Sequence, residues 1–310
     1  MAPSVEHLKF QILIVGAGPV ERHPHLQTQG NTPIVQPAAV RAYTHIGLGA
    51  ALASISITGH GLYSWPYKDS FGPIGVLSYG NVKAFMTERP AVQLMAYDAS
   101  IVAGVTVLFN CQVIGLDQNA LPVRLWMADG QEYTVDLIIA VDGIKSNIRQ
   151  IIYPDRAVEP VPTPECIFQS QVPSHILKSD DRVAPYLELN TTHGTLGPSK
   201  FSICRATVEG NFTITSILRD MFKAFPVPQR AYLEHASKCT KWRIAIAAEI
   251  PKWICKSSRV ILSAMPTTSA GMLLIKPKFT ILSIVAEELR RLIYGLRCLL
   301  SALRQCYTTN

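Results

Sequence analysis

Phe10-Gln-Ile-Leu-Ile-Val15 runs directly into Gly16-Ala17-Gly18. The run is uncharged, rich in β-branched residues and without polar alternation, which is how a strand buried on both faces of a parallel sheet reads. Glycines at its carboxyl end mark the side of an open α/β sheet where a nucleotide phosphate would sit. A second run of the same kind, Asp136-Leu-Ile-Ile-Ala-Val141, ends in Asp142-Gly143, and a short helix is expected from Ser146. Together they predict an α/β fold.

Between the two runs, the spacing of Val40, Tyr43, Ile46 and Leu48 predicts a helix from Pro37 to Leu52, stopped near Gly47 and Gly49. Residues 59–81 are rich in Gly, Pro and aromatics and read as irregular strands or loops. Thr87 can cap a helix that runs from Arg89, buries Val92, Met95, Ala96 and Ala99 on one face and ends before Gly104. Strands are expected at Val105–Val113, Val123–Met127 and Tyr133–Val135, the last two joined as a hairpin by Ala128-Asp129-Gly130-Gln131. Composition shifts after Tyr153. Residues 154–210 are proline-rich and read as strands and loops of a second lobe. Residues 217–238 read as helical from about Leu218, interrupted at Pro226 and Pro228. Strands follow near Trp242–Ala248 and Arg259–Leu262, then a terminal helix from about Ser283.

The chain has 310 residues, 48% of them hydrophobic and only 16% charged, which excludes a disordered, collagen-like or charged coiled-coil protein. The length suits two domains, or one large α/β unit with a smaller lobe. The net charge of +7 would suit an anionic partner, but the basic residues are scattered. Their densest group, Arg290, Arg291, Arg297 and Arg304, alternates with Leu and Ile at helical spacing and reads as the polar face of a helix, so no nucleic-acid partner is expected. Seven widely spaced cysteines without a CxxC pair predict reduced thiols in a cytoplasmic protein, with no disulfide framework and no metal site. The N-terminal apolar run reads as a strand, not a signal peptide. Met272–Val285 is cut by Lys276-Pro277-Lys278, short of the ~20 apolar residues of a spanning helix, so no transmembrane segment is expected. The amphipathic C-terminal helix leaves weak membrane association open.

The strand with Gly16 and Gly18 is similar to the opening of a dinucleotide-binding unit, whose glycines let the backbone approach a pyrophosphate at a helix N-terminus. Further residues carry a more specific resemblance. They are Glu21-Arg-His-Pro24, Gln36-Pro-Ala-Ala-Val-Arg41-Ala-Tyr43, Glu88-Arg89-Pro-Ala-Val-Gln93-Leu94, Gly104-Val-Thr-Val107, Ala128-Asp-Gly130 and, most specific, Asp142-Gly143-Ile-Lys-Ser146-Asn-Ile-Arg149. In this order, over roughly residues 10–266, the chain resembles the FAD-dependent group A aromatic monooxygenases, the salicylate-hydroxylase-like flavoproteins of fungal secondary metabolism.

That resemblance implies a Rossmann-like FAD-binding domain of the PHBH type with a smaller mixed-sheet substrate lobe. The FAD-binding domain would comprise residues 1–153 and 255–285, the substrate lobe 154–254 and the C-terminal helix 286–310. It also implies cofactor contacts. Glu21 would accept hydrogen bonds from the adenosine ribose, and Arg89 would offer its guanidinium fork to a phosphate or ribityl oxygen. Asp142 and Gly143 would border the crevice at the strand ends, and Gly16 and Gly18 would allow close backbone approach. The residues alone also admit solvated surface charges at Glu21 and Arg89 and an ordinary turn at Asp142-Gly143. No catalytic residue is assigned. His193, Tyr186 and Arg205 are lobe residues that read as structural rather than catalytic.

Two departures from the family pattern fall on the cofactor site. Between Val20 and Glu21 the rest of the glycine motif, a helix and most of a strand are missing. Ile261-Leu-Ser263-Ala264-Met-Pro266 stands where the family has Gly-Asp, and Gly271 corresponds only loosely to a later glycine. An internal deletion is inferred, and the lost crossover helix predicts a partly uncovered sheet face.

The implied function is FAD-dependent oxygenation of an aromatic, polyketide-like or other small organic substrate, with NAD(P)H as reductant and O2 as oxidant, in secondary-metabolite biosynthesis. The alternatives are a catalytically inactive remnant of the family acting as a binding or scaffold protein, and a flavin-linked oxidase or dehydrogenase.

Overall fold

The structure is a computed structural model. It describes residues 10–262 apart from 17–24, 27–29, 31, 68–71, 144, 156–158, 184–186, 188–190, 198–199, 208–210, 216–222, 247–249 and 251. Gly18, Glu21, Tyr186, Ser263, Ala264, Gly271 and the expected terminal helix lie outside the described residues.

In chain order the first elements are β1 (Ile12–Val15), β2 (Ile34–Val35), α1 (Pro37–His45), α2 (Gly49–Ser54), β3 (Ser56–Gly59), β4 (Gly61–Pro66), β5 (Gly75–Ser78), β6 (Ala84–Thr87) and α3 (Arg89–Val102). Next come β7 (Val113–Asp117), β8 (Val123–Met127), β9 (Glu132–Val135), β10 (Leu137–Ala140) and α4 (Asn147–Ile152). The remainder holds β11 (Val161–Pro173), α5 (Ser174–Lys178), β12 (Thr192–Gly197), β13 (Lys200–Ala206), β14 (Asn211–Thr215), α6 (Val227–His235), β15 (Thr240–Ile246) and β16 (Val260–Leu262).

The two apolar runs, 10–15 and 136–141, are neighbours in space. β1 pairs in parallel with β10, Val15 opposite Ala140, and β10 pairs in parallel with β16. One face of this sheet packs on the antiparallel sheet β7-β8-β9 through Val15, Ile138 and Leu262 against Val123, Leu125 and Met127. Full burial of side chains of this size contributes roughly 1.5–3 kcal/mol each, which is why the alternating apolar residues of β8 lock to the strands beneath. The opposite face is bare at its margin. Phe10, Ile12 and Ile14 are 56%, 52% and 61% exposed, and β1 is the terminal strand of its sheet. The sheet face is thus partly uncovered, as expected from the sequence.

A small antiparallel sheet, β2-β6-β3, carries α1, α2 and α3, with Val35, Val40, Leu52, Phe85 and Met95 between them. The large sheet has seven strands in the order β15-β11-β14-β13-β12-β4-β5. Trp65, Val172 and Cys204 on one of its faces meet Leu177, Val183, Ala231 and Tyr232 on the α5 and α6 side. Two of its strands, β4 and β5, come from residues 61–78, in the stretch that reads as irregular strands or loops.

The helix expected over 37–52 is two helices, because Gly47 adopts φ +83° and turns the chain between them. Thr87 does not cap α3. It is the last residue of β6, and its hydroxyl donates to the Ile55 carbonyl at 2.8 Å, while Glu88 occupies the cap position. The strand expected from Val105 begins only at Val113. Ser146 does cap its helix, accepting the Arg149 amide at 3.0 Å.

Candidate functional site

The carboxyl ends of β1 and β10 form the candidate site. Val141 N donates to Val15 O at 2.7 Å, so the parallel ladder continues to the last residue before each turn. Gly16 then leaves at φ +101°, and a Cβ built there would stand 2.5 Å from both N and Cα of Asp142. Only glycine permits this approach, for steric and for conformational reasons. Gly143 also has a left-handed φ, +81°, but open space surrounds the position a Cβ would take. One glycine thus makes a close contact and the other faces open space.

Asp142 spends one carboxylate oxygen on the fold and keeps the other. Oδ2 accepts the Ile148 amide at 3.2 Å, in the first turn of α4. Oδ1 is buried and has no hydrogen-bond partner among the described residues. A buried carboxylate oxygen left without a donor is costly, and a ligand hydroxyl would relieve that cost. Arg149, 4% exposed, lies close enough for its charge to be felt by Asp142. Burial pushes the guanidinium down from its ordinary range, and Asp142 opposes that shift.

Arg89 opens α3 and is exposed. No hydrogen bond or ion pair joins it to Gly16, Asp142 or Gly143 among the described residues, so the structure unites three of the sequence-derived site residues and leaves Arg89 on a separate element. Gly18 and Glu21 are not among those described. The residue beside Arg89 was missed in the sequence: Glu88 has a buried Oε1 without a partner among the described residues. Its position at a strand-to-helix junction was the available signal.

Across from these elements, the large sheet sorts its polar groups by face. Tyr63, His193 and Cys204 are in register. His193 is 1% exposed, receives the Trp65 Nε1 proton on Nδ1 at 3.1 Å, and places Nε2 3.1 Å from Thr191 Oγ1. Burial pushes the Cys204 thiol far above its ordinary value. Thr192 and Arg205, one residue on, belong to the opposite face, which meets the small sheet: Thr192 Oγ1 lies 3.7 Å from Met86 Sδ. Arg205 Nε donates to Thr32 Oγ1 at 2.9 Å, and burial lowers its guanidinium to about 10. Among the described residues, no cluster of His, Cys, Asp or Glu could hold a metal ion, and no helix is long and apolar enough to cross a membrane.

No family model matches the chain. Two curated relatives do. The FAD-dependent monooxygenase atnJ of Arthrinium sp is 38% identical over 76 residues, 24% of this chain and 18% of that protein. The FAD-dependent monooxygenase ntnJ of Nectria sp is 23% identical over 221 residues, 62% of this chain and 50% of that protein. In structure, a salicylate hydroxylase substrate complex superposes with a TM-score of 0.66 at 20% identity, over 82% of this chain and 72% of the other. Over these stretches the chain is similar to FAD-dependent monooxygenases. Its fold is that of the salicylate hydroxylase, with a parallel α/β sheet beside a mixed-sheet lobe. It spans half or less of the length of the two curated relatives it matches.

Proposed function

We propose that this chain binds FAD at the ends of β1 and β10 and oxygenates a small organic molecule, aromatic or polyketide-like, with NAD(P)H as reductant, in secondary-metabolite biosynthesis. The observation that carries this reading is the Gly16–Asp142 junction, where a backbone contact that excludes any side chain sits beside a buried carboxylate oxygen without a donor among the described residues.

The residues present suit the hydroxyl-bearing part of such a cofactor. Asp142 Oδ1 and Glu88 Oε1 are buried acceptors without a donor among the described residues, and ribose and ribityl hydroxyls are donors. Arg89, exposed at the head of α3, supplies a positive fork for a phosphate oxygen. When bound, the flavin supplies the redox chemistry with reductant and O2. The chain's own residues bind, orient and exclude water. Strands β4 and β5 of the large sheet extend the proposed substrate lobe beyond residues 154–254.

A second reading, a member of the family without catalysis, is favoured by the sequence Ile261-Leu-Ser-Ala-Met-Pro266 in place of Gly-Asp and by the bare β1 face. One experiment separates the two. Purified protein is titrated with FAD and followed by flavin fluorescence and absorbance, then supplied with NAD(P)H under air. Stoichiometric binding with reductant consumption supports the monooxygenase, whereas folded protein that binds FAD without consumption, or takes up no FAD, overturns it and supports the inactive member.

A further inference from the structure

The large sheet reaches across to the chain that enters β2 and takes hold of it twice. Arg205 on β13 donates from Nε to Thr32 Oγ1 at 2.9 Å, and Gln169 on β11 donates from Nε2 to the Gly30 carbonyl at 3.3 Å. Thr32 is 1% exposed. Its hydroxyl therefore meets a charged donor away from water, where such a bond is strongest.

What is held in this way leads to the head of α3. A Cβ on Gly30 would lie 2.9 Å from Pro90 Cδ and 3.1 Å from Arg89 Cβ, so the backbone at Gly30 rests directly on the first residues of that helix. Thr32 leads through Pro33, whose carbonyl accepts the Thr87 amide at 3.3 Å, into β2. β2 pairs with β6, Ile34 opposite Met86, and β6 ends at Thr87, immediately before Glu88 and Arg89. Two routes, one by contact and one by strand pairing, thus connect the clasp to the same two residues.

We propose that Arg205 and Gln169 are positioning residues: by clasping Thr32 and Gly30 they fix the head of α3, with Glu88 and Arg89, at a set place relative to the large sheet. The functional meaning of that placement rests on the proposed FAD site. The clasp makes cofactor grip sensitive to a bond 2.9 Å long on the far side of β2, in residues that touch no cofactor.

The test uses Thr32→Val, which keeps the shape and removes the acceptor, with Thr32→Ser as the variant that restores the hydroxyl, and Gln169→Met as an independent cut. Amide hydrogen exchange is read in the segments 30–36 and 86–95, and FAD affinity by flavin fluorescence. Loss of a charge-assisted bond is expected to raise exchange in both segments about tenfold in Thr32→Val. FAD binding should weaken by a similar factor, and Thr32→Ser should behave as the parent. Unchanged exchange in segment 86–95 overturns the clasp. Raised exchange with unaltered FAD affinity overturns the positioning role. If the parent takes up no FAD, the proposed function fails on its own and the exchange measurement alone decides the clasp. Should Thr32→Val not fold, Gln169→Met is read by the same criteria.

Discussion

The Trp65 indole and the His193 imidazole are joined by a hydrogen bond of 3.1 Å inside the large sheet, with Nδ1 of the histidine as acceptor. That bond sets the tautomer. Nδ1 must be unprotonated, so the ring's proton sits on Nε2, directed at Thr191 Oγ1 3.1 Å away. β4 and β12, which carry the pair, are neighbours in a parallel register that places Tyr63 beside His193. Trp65→Phe removes the donor but keeps a ring in the cluster with Val172, Leu177 and Tyr232. The expected loss is about 1–3 kcal/mol in urea unfolding, with secondary structure unchanged by circular dichroism. A loss below the error of the measurement would mean that the pair contributes nothing to the sheet.

The contrast between Gly16 and Gly143 gives a paired experiment. Both have left-handed φ, and both resist a side chain on that ground by about 1–2 kcal/mol. Only at Gly16 would the new methyl also strike backbone, Asp142 N and Cα at 2.5 Å. Gly16→Ala is therefore expected to destabilise clearly more than Gly143→Ala and to abolish FAD uptake. Gly143→Ala should fold, and its thermal midpoint should lie between that of the parent and that of Gly16→Ala. Equal midpoints for the two variants would remove the argument for close approach.

How much of this was legible beforehand depends on the range of the interaction. Val15-Gly16 and Ala140-Val141-Asp142 announced themselves because a buried parallel strand and its exit turn are local signals. Ser146 as a cap was readable for the same reason. Thr87 misled, since a threonine before a helix suits a cap equally well, and the Ile55 carbonyl that claims its hydroxyl is 32 residues away. β4 and β5 were unreadable as members of the large sheet because their glycines and aromatics show no clean alternation, and β4 finds its parallel partner only at Thr192–Leu196. The bond from Arg205 to Thr32 spans 173 residues and has no sequence signature at all.

Asp180 makes a pH-dependent lock between the end of α5 and α6. Its carboxylate accepts two bonds from Arg182, at 2.9 and 2.7 Å, and lies 2.8 Å from His235 Nε2, while Arg182 also reaches Glu234 at 2.9 Å. Arg182 first, and His235 second, hold the Asp180 carboxyl well below the usual carboxylate range. A group depressed in the folded state stabilises above its unfolded pKa of about 4 and loses that contribution as pH falls toward its folded value. Thermal midpoints of the parent and of Asp180→Asn should therefore differ at pH 6 and 7 and converge as pH drops below about 4. A gap that stays constant with pH would assign the effect to packing rather than to charge.

The exposed edge at β1 should govern solubility. Phe10, Ile12 and Ile14 project from a terminal strand with no partner on its outer side among the described residues, and the run from Phe10 to Val15 contains neither charge nor proline to discourage pairing with another chain. Ile14 is 61% exposed, so replacing it removes little from the core. Ile14→Lys is expected to change unfolding stability by no more than about 0.5 kcal/mol, in line with exposed sites generally. It should nevertheless lower the aggregated fraction on concentration, because a lysine on an edge strand makes edge-to-edge pairing unfavourable. Light scattering at matched concentration, with Ile138→Lys on the buried strand as the disruptive control, distinguishes the two effects. If Ile14→Lys aggregates as the parent does, self-association proceeds through some other surface and the bare β1 face is not its cause.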